Sequence, residues 1–351
     1  MKKNIALLFG GKGEEHAVSC RSAAAVYKNL SSERYRVLPI GIDREGDFFF
    51  YHGDCTRLGE EDFRKQSELL LPTFPIRLGS RSGFYSTEGT VFVDLALPIL
   101  HGRGGEDGEI QGLLSAAGIP FVGCDCVTSG VCFDKEYTKR VAEAVGVPVV
   151  RGVSLPPDED AAAALERVYG AFSETEKIFI KPARQGSSVG ACVAKCKEEL
   201  PRCRDLACVY GKALAEEYIE EKRELEVALL QRDGKFLFAG PGEIVSRAPL
   251  YSYREKYESG TARVRVRADI PAQTKKTLFG YSEALAAALS LRGLSRLDFF
   301  LTPDGSLYFN EVNTLPGFTE ASLYPALWEA EGLAFPQLLD ILIGEAIARP
   351  S

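Results

Sequence analysis

No window of this chain approaches the ~20 consecutive apolar residues of a membrane span. No CxxC pair, no GxxxxGK[ST] loop and no GxGxxG turn occurs anywhere in its 351 residues. The first absence argues against membrane insertion. The second argues against a paired-cysteine zinc module, which needs two close pairs at recognisable spacing that Cys124/Cys126 and Cys192/Cys196 do not provide. The last two exclude a Walker A nucleotide site and deprive a dinucleotide-binding oxidoreductase of its phosphate turn. Positive charge is also short: 42 Lys and Arg stand against 49 Asp and Glu, a formal net charge of −7. A nucleic-acid backbone is therefore not the expected partner, although a nucleotide, which needs only a few local cations, stays open. Nine cysteines, an odd number in a chain too long for a disulfide-stapled module, read as reduced and mostly buried, which suits the cytoplasm. At the N-terminus the apolar run Ile5 to Phe9 is shorter than the roughly 7–15 residues of a signal-peptide core and reads as a first strand.

What is present is a soluble globular composition, 45% hydrophobic and 26% charged, at a length that suits two or three domains. Strand and helix patterns alternate from the start. Residues 4–9 are a strand, 19–30 a helix, 35–42 a strand; 90–100 contains another strand, 109–118 is a helix stopped by Gly118, and "IPFVG" follows as a strand. That order predicts a parallel sheet covered by helices and closing near residue 125. A middle section holds a helix at 135–144, strands in "VPVVRGVSL" and "KIFIKPA", and a charged irregular stretch at 195–206. A third section has strands in "ALAEEY", "ELEVALLQ" and "FLFAGPGEI", a polar loop at 246–262, a helix at 271–290, the strands "SRLDFFLTP" and "SLYFNEVN", and a helix at 333–348. "TPDG" at 302–305 is a hairpin turn. The expected division is 1–125, 126–212 and 213–351.

Four segments carry chemistry. In "IFIKPARQGSSVG" a lysine, Lys181, ends a strand and is followed by Gly186, Ser187, Ser188 and Gly190, whose backbone N–H groups and hydroxyls can cradle phosphate. Taken alone, Lys181 also has the character of an ordinary exposed strand-end lysine. In "SRLDFF" and "YFNEVNTLPG", Asp298 and Glu311 fall on neighbouring strands of a hairpin, and Glu311 and Asn313 share a face. Two carboxylates and an amide oxygen are hard ligands suited to Mg²⁺, and the flanking Leu297, Phe299, Phe309 and Val312 are too apolar for a solvated face. "GGKGEEHAVS" at 10–19 either points Glu15 or His16 at a ligand beyond the strand ends or is a helix start with favourable glutamates. "LHGRGGEDGEIQG" at 100–112 places His101, one of three histidines, at a strand exit, with Glu106 and Asp107 able to cap the next helix.

In order along the chain, "GGKGEEHAVS", "HGRGGEDGEIQG", "FDKEYTKR", "FIKPARQGSSVG", "YREKY" and "SRLDFF…NEVNTLPGFT" resemble the D-alanine–D-alanine ligase family of the ATP-grasp superfamily over nearly the whole length. The resemblance implies a three-domain ATP-grasp fold, α/β and α+β, with an N-terminal parallel α/β domain. It implies that Lys135, Lys181 and Ser188 hold ATP phosphates, that Glu217, Tyr218, Ile219 and Glu224 line the adenine and ribose site, and that Lys256 reaches the γ-phosphate. Asp298, Glu311 and Asn313 match the ligands of two Mg²⁺ ions, for which Mn²⁺ can substitute. Glu15 matches the carboxylate that receives the first substrate's ammonium, with Ser187 and Tyr257 as its hydrogen-bonded partners and His101 close by. Arg296 and the N–H of Gly317 match oxyanion stabilisers; Ser322 and Leu323 match the second-substrate site.

The implied activity is ATP-dependent joining of two D-alanines through a D-alanyl phosphate, for peptidoglycan synthesis, by a cytoplasmic homodimer, with the loop at 246–262 as a lid. The chain departs from the family pattern at Ala321, Ser252 and Phe133, and "IEEKRE" is one residue longer than usual. The apolar Leu323 favours D-alanine as the second substrate, D-serine being the alternative; Tyr257 sets D-lactate lower.

Overall fold

In this computed structural model residues 2–60, 62–174, 177–245 and 263–349 are described. The unbroken apolar run Ile5–Phe9 suits a strand buried on both faces, and β1 (Lys3–Gly10) lies inside a seven-stranded sheet. β1 pairs in parallel with β2 (Tyr35–Ile42) on one side and with β7 (Leu95–Pro98) on the other. α1 (His16–Asn29) is the crossover between β1 and β2. Four further strands, β3 (Phe48–Tyr51), β4 (Leu70–Leu78), β5 (Arg81–Ser86) and β6 (Gly89–Phe92), extend the sheet antiparallel beyond β2. The parallel centre agrees with the sequence reading; the extension was not anticipated, and the single strand expected in 90–100 is the end of β6 plus β7. "IPFVG" contributes only one bridge, Ala96 to Phe121, after α2 (Glu109–Ala116).

A four-stranded antiparallel sheet follows, in the order β10-β9-β11-β8. It is made of β8 (Gly152–Leu155), β9 (Ile178–Pro182), β10 (Cys192–Ala194) and β11 (Ala213–Glu217). α3 (Cys126–Phe133) and α4 (Lys135–Ala144) precede it, and Asp134 caps α4 by accepting from the N–H groups of Glu136 and Tyr137. α5 (Ala161–Ala171) and α6 (Leu200–Cys208) cover the apolar face of the sheet around Phe172 and Ile180. The stretch at 195–206, expected to be irregular, is thus largely helical. Cys192 and Cys203, with Cα atoms 5.5 Å apart, are joined as a disulfide, because α6 crosses β10 at that point. The expectation that all nine cysteines are reduced is corrected for this pair; the other seven are free.

The third sheet is antiparallel, in the order β14-β13-β12-β15-β16. Its strands are β12 (Arg223–Arg232), β13 (Lys235–Val245), β14 (Arg263–Arg265), β15 (Leu294–Leu301) and β16 (Leu307–Asn313). Alternation decides its two faces. Leu297 and Phe299 of β15 and Phe309 of β16 sink into a core under α7 (Ala272–Ala288), where the two phenylalanine rings meet edge-on at 5.6 Å. Arg296 and Asp298 consequently face the other way. α8 (Leu323–Ala330) packs on β12 and β13, and α9 (Phe335–Ala348) reaches from β12 to β7 and α1 of the first sheet, so that Leu338, Leu342 and Leu7 belong to one hydrophobic core. Among the described residues, no helix is long and apolar enough to cross a membrane.

Candidate functional site

Between the second and third sheets lies a cleft whose walls include Lys135, Lys181, Ser187, Ser188, Tyr218, Glu224, Arg296, Asp298 and Glu311. Lys135 opens α4 and Lys181 sits near the end of β9; both residues are buried, at 8% and 6% exposure, yet line the cleft. Lys135 donates to the carbonyl of Gln185 at 2.8 Å and pairs with Glu311 at 3.1 Å. Lys181 donates to Asn310 Oδ1 at 3.0 Å and pairs with Glu216 at 2.9 Å. The bland alternative for Lys181, an exposed strand-end lysine, is removed by its burial. In the loop between β9 and β10, Ser187 and Ser188 both have positive φ, 53° and 58°. That left-handed backbone costs L-residues on the order of 1–2 kcal/mol each and is typical of strained loops at functional sites.

Glu15 joins this loop from the N-terminal sheet. Its carboxylate accepts from Ser187 Oγ at 2.8 Å across 172 residues of chain. Glycines make the space: a Cβ at Gly102 would lie 2.4 Å from Glu15 Oε2, one at Gly186 2.8 Å from Oε1, and one at Gly13 3.3 Å from Oε2. Three glycine-bearing loops, each following a strand, therefore close on one buried carboxylate. His16, the other candidate in that segment, turns away: its Nδ1 donates to Gly11 O at 2.8 Å and its ring stacks on Phe63.

At the base of the cleft Asp298 and Glu311 are register partners on β15 and β16, beside an irregularity in the ladder. Arg296 grips Asp298 with two hydrogen bonds, Nε to Oδ1 at 2.8 Å and Nη2 to Oδ2 at 2.7 Å, and also pairs with Glu226 at 3.1 Å. Burial alone would lower the guanidinium's affinity for its proton, but Asp298 and Glu226 outweigh it and hold the group well above its usual range. Asn313 donates its amide nitrogen to Asp298 Oδ2 at 3.0 Å. Among the described residues, no three or more His, Cys, Asp and Glu side chains cluster as a metal site. The donor set is two carboxylates plus one amide, and it fits a hard divalent cation. Here the cationic ends of Arg296 and Lys135 neutralise the carboxylates that such an ion would bind, and a turn of the Asn313 amide brings its oxygen to the same side.

His101 is buried. Its Nδ1 lies 2.9 Å from Leu315 O, which can only accept, so Nδ1 carries the proton and Nε2 accepts from Ser22 Oγ at 3.0 Å. Burial, with Arg296 adding, lowers its pKa from 6.5 to about 4, against the raising effect of the Leu315 bond, so the ring is neutral. Glu106 completes the grip: it accepts from Leu315 N at 3.1 Å and from Gly102 N at 2.9 Å, and burial raises its pKa to about 7. The first sheet thus holds the segment that leads to Gly317. A Cβ at Gly317 would lie 2.8 Å from Ser322 Oγ, which bonds Thr319 at 2.8 and 3.0 Å. Leu323 starts α8 and packs on Gly242.

The structure therefore gathers Lys135, Lys181, Ser187, Ser188, Tyr218, Glu224, Arg296, Asp298 and Glu311 around one cleft, with Glu15 and Asn313 bonded to its lining. His101, Gly317, Ser322 and Leu323 form a neighbouring group. Glu217 and Ile219 are not in the lining, and Glu217 pairs instead with Arg151 at 3.5 Å. Tyr257 and Lys256 lie outside the described residues, as does the loop at 246–262. Sequence reasoning missed Glu226, Glu216, Asn310 and Lys222, and gave Glu106 only a capping role. Glu226 could have been found from alternation two residues after Glu224; Lys222, whose ammonium lies 3.7 Å from the Phe300 ring centre, belongs to the segment "IEEKRE".

Two antiparallel sheets enclosing a lysine-lined cleft, with paired acids on a hairpin at its base, define an ATP-grasp fold. The chain belongs to the D-alanine–D-alanine ligase family of ATP-dependent ligases: residues 4–124 match the model described as D-ala D-ala ligase N-terminus and residues 141–344 that described as D-ala D-ala ligase C-terminus. It is 34% identical to the D-alanine–D-alanine ligase of Acetivibrio thermocellus over 99% of this chain and 96% of that protein. It is 36% identical to that of Streptococcus pyogenes over 97% and 95%. Among solved structures, the VanG D-Ala:D-Ser ligase of Enterococcus faecalis superposes with a TM-score of 0.89 at 35% identity, covering 99% of this chain and 100% of that one. The D-alanine–D-alanine ligase of Coxiella burnetii gives 0.86 at 30%, covering 99% and 94%.

Proposed function

We propose that this chain joins two D-alanines into D-alanyl-D-alanine at the expense of ATP, releasing ADP and phosphate, as a cytoplasmic homodimer serving peptidoglycan synthesis. The observation that carries the reading is the Glu15–Ser187 hydrogen bond, which brings a buried carboxylate from the first sheet to the edge of a lysine-lined cleft. A carboxylate so enclosed suits an ammonium group, and the first D-alanine carries one. Its own carboxylate would then face the serine loop and Lys135 and Lys181, whose ammonium groups neutralise a phosphoryl group during transfer. Tyr218 and Glu224 would receive adenine and ribose, with Glu217 and Ile219 adjacent and Ser188 on the phosphates. Asp298, Glu311 and Asn313 would hold Mg²⁺, or Mn²⁺ in its place, which when bound neutralises phosphate charge. Attack by the second amine on the activated carboxyl builds an oxyanion, and Arg296 with the Gly317 N–H would stabilise it. His101 and Glu106 fix the Gly317 segment, and Ser322 and Leu323 would receive the second amino acid. Tyr257 and Lys256 are assigned to the lid by family likeness alone.

D-serine as the second substrate is the other reading, favoured by the resemblance to the VanG structure. Phosphate release with ATP and Mg²⁺ in the presence of D-alanine, alone or with D-serine, and product masses, tests both. D-alanyl-D-alanine from D-alanine alone is the expected result. Preferential D-alanyl-D-serine in the mixture moves the assignment to the second reading, and no amino-acid-dependent release removes both.

A further inference from the structure

Lys139 stands one helical turn beyond Lys135 on α4, and nothing in the reaction above uses it. Lysines are almost never fully buried unless paired, yet this one is only 7% exposed. Its ammonium forms an ion pair with Glu216 Oε1 at 2.5 Å, and the second oxygen of the same carboxylate takes Lys181 at 2.9 Å. Strand geometry explains the sharing. Glu216 of β11 lies opposite Phe179 of β9, so Lys181, two residues further along, is its diagonal neighbour on the same face. Asn310 holds Lys181 from the other side at 3.0 Å. Two ammonium groups therefore divide one carboxylate, and the cluster of Lys139, Lys181 and Glu216 carries one net positive charge beside the cleft.

We propose that Lys139 is a positioning residue for nucleotide binding: by engaging Glu216 from the far side, it keeps that carboxylate from quenching Lys181, which stays cationic toward phosphate. The inference rests on the reading of Lys181 as a phosphate-binding lysine. The electrostatics agree. Burial would raise the Glu216 pKa, but Lys139 and Lys181 override it and bring it down to about 2, so the carboxylate is charged. Burial lowers Lys139 to about 8, with Glu216 opposing and Lys181 adding. Removing Lys139 would leave Glu216 and Lys181 as a closed one-to-one pair with no net charge to offer.

The test compares Lys139→Met, Glu216→Gln, the double variant and Lys181→Met, each checked for folding by its melting curve, in steady-state kinetics with ATP and D-alanine varied separately. Loss of one charge's worth of attraction at this depth predicts a rise in the ATP KM of about tenfold or more in Lys139→Met, with the D-alanine KM within about twofold. The double variant should recover most of that loss, because the quenching carboxylate is gone with the lysine; Glu216→Gln alone should change the ATP KM little, Lys139 giving up its proton in compensation. A merely structural role predicts the opposite: the double variant no better than Lys139→Met, or both KM values rising together. Either result overturns the proposal. Lys181→Met separates the two levels. If it leaves the ATP KM unchanged, the phosphate reading of Lys181 fails and this inference with it; if it raises the ATP KM while Lys139→Met does not, only this inference fails. Should Lys139→Met not fold, Lys139→Gln carries the same expectations.

Discussion

His101 offers a direct test of the buried network that connects the first sheet to the Gly317 segment. Its pKa is lowered from 6.5 to about 4, first by burial and then by Arg296, the Leu315 bond opposing. Between those values the unfolded chain binds a proton that the fold refuses. Stability is therefore full above about pH 6.5 and falls as the pH drops through that window. The whole shift corresponds to about 3 kcal/mol, of which about 2 kcal/mol is lost between pH 7 and 5. Glu106 works in the other direction: burial raises its pKa from 4.5 to about 7, so the folded form favours the proton and stability falls as the pH rises between those values. Comparing the wild type with His101→Gln cancels the Glu106 contribution to first order. Urea unfolding at pH 7 and pH 5 should show the wild type losing about 2 kcal/mol more than the variant over that interval. With only three histidines in the chain, the ring can also be followed by NMR, and it should remain a neutral Nδ1–H tautomer at pH 5. Equal pH responses in the two proteins, or a midpoint for His101 above about 6, would refute the reasoning.

Gly102→Ala puts a methyl group 2.4 Å from Glu15 Oε2 at a backbone φ of +66°; the KM for D-alanine should rise about tenfold or more with the ATP KM nearly constant, and an unchanged D-alanine KM would show that the Glu15 cradle is not the amino-acid site. Arg296→Lys keeps a charge between Asp298 and Glu226 but loses the two-pronged grip, and kcat should fall on the order of 10²–10³-fold; a kcat within a few-fold of wild type would remove Arg296 from the chemistry. Phe309→Ala opens a hole under α7 beside Phe299 and should cost about 3–5 kcal/mol by urea unfolding, without a comparable effect on either KM once the protein is folded.

Where local rules agreed with the tertiary outcome, the sequence was readable. The helix at 135–144 has a capping aspartate and helical spacing, and the β15–β16 hairpin has alternation on both strands and a "TPDG" turn, so its acids could be set side by side in advance. Residues 48–92 were not readable in this way. "LLPTFPIRL" carries Pro72 and Pro75, which demote a strand, although here they serve an antiparallel extension toward a sheet edge. α8 was hidden by Pro325 in its first turn, a position that tolerates proline, and α3 by Gly130 and its β-branched residues. In the site, residues that touch the cleft through side chains at strand ends were visible because charge there is unusual. Glu216 and Lys139 were not, since their significance lies in sharing a partner across α4, β9 and β11, a relation that no spacing along the chain encodes. The two segments that match the family's terminal models, 4–124 and 141–344, looked separable on paper.

They are not separable as catalysts. Glu15 reaches Ser187 across 172 residues, Glu106 reaches Leu315 across 209, and His101 reaches the same residue across 214. The candidate site has no single owner in the chain: one half supplies the Glu15 carboxylate and the side chains that hold Leu315, the other the cleft and its charges. A chimera that exchanged one half for a relative's would inherit a seam running through its active site, and its success would depend on matching glycines and backbone carbonyls at that seam more than on either half's own stability.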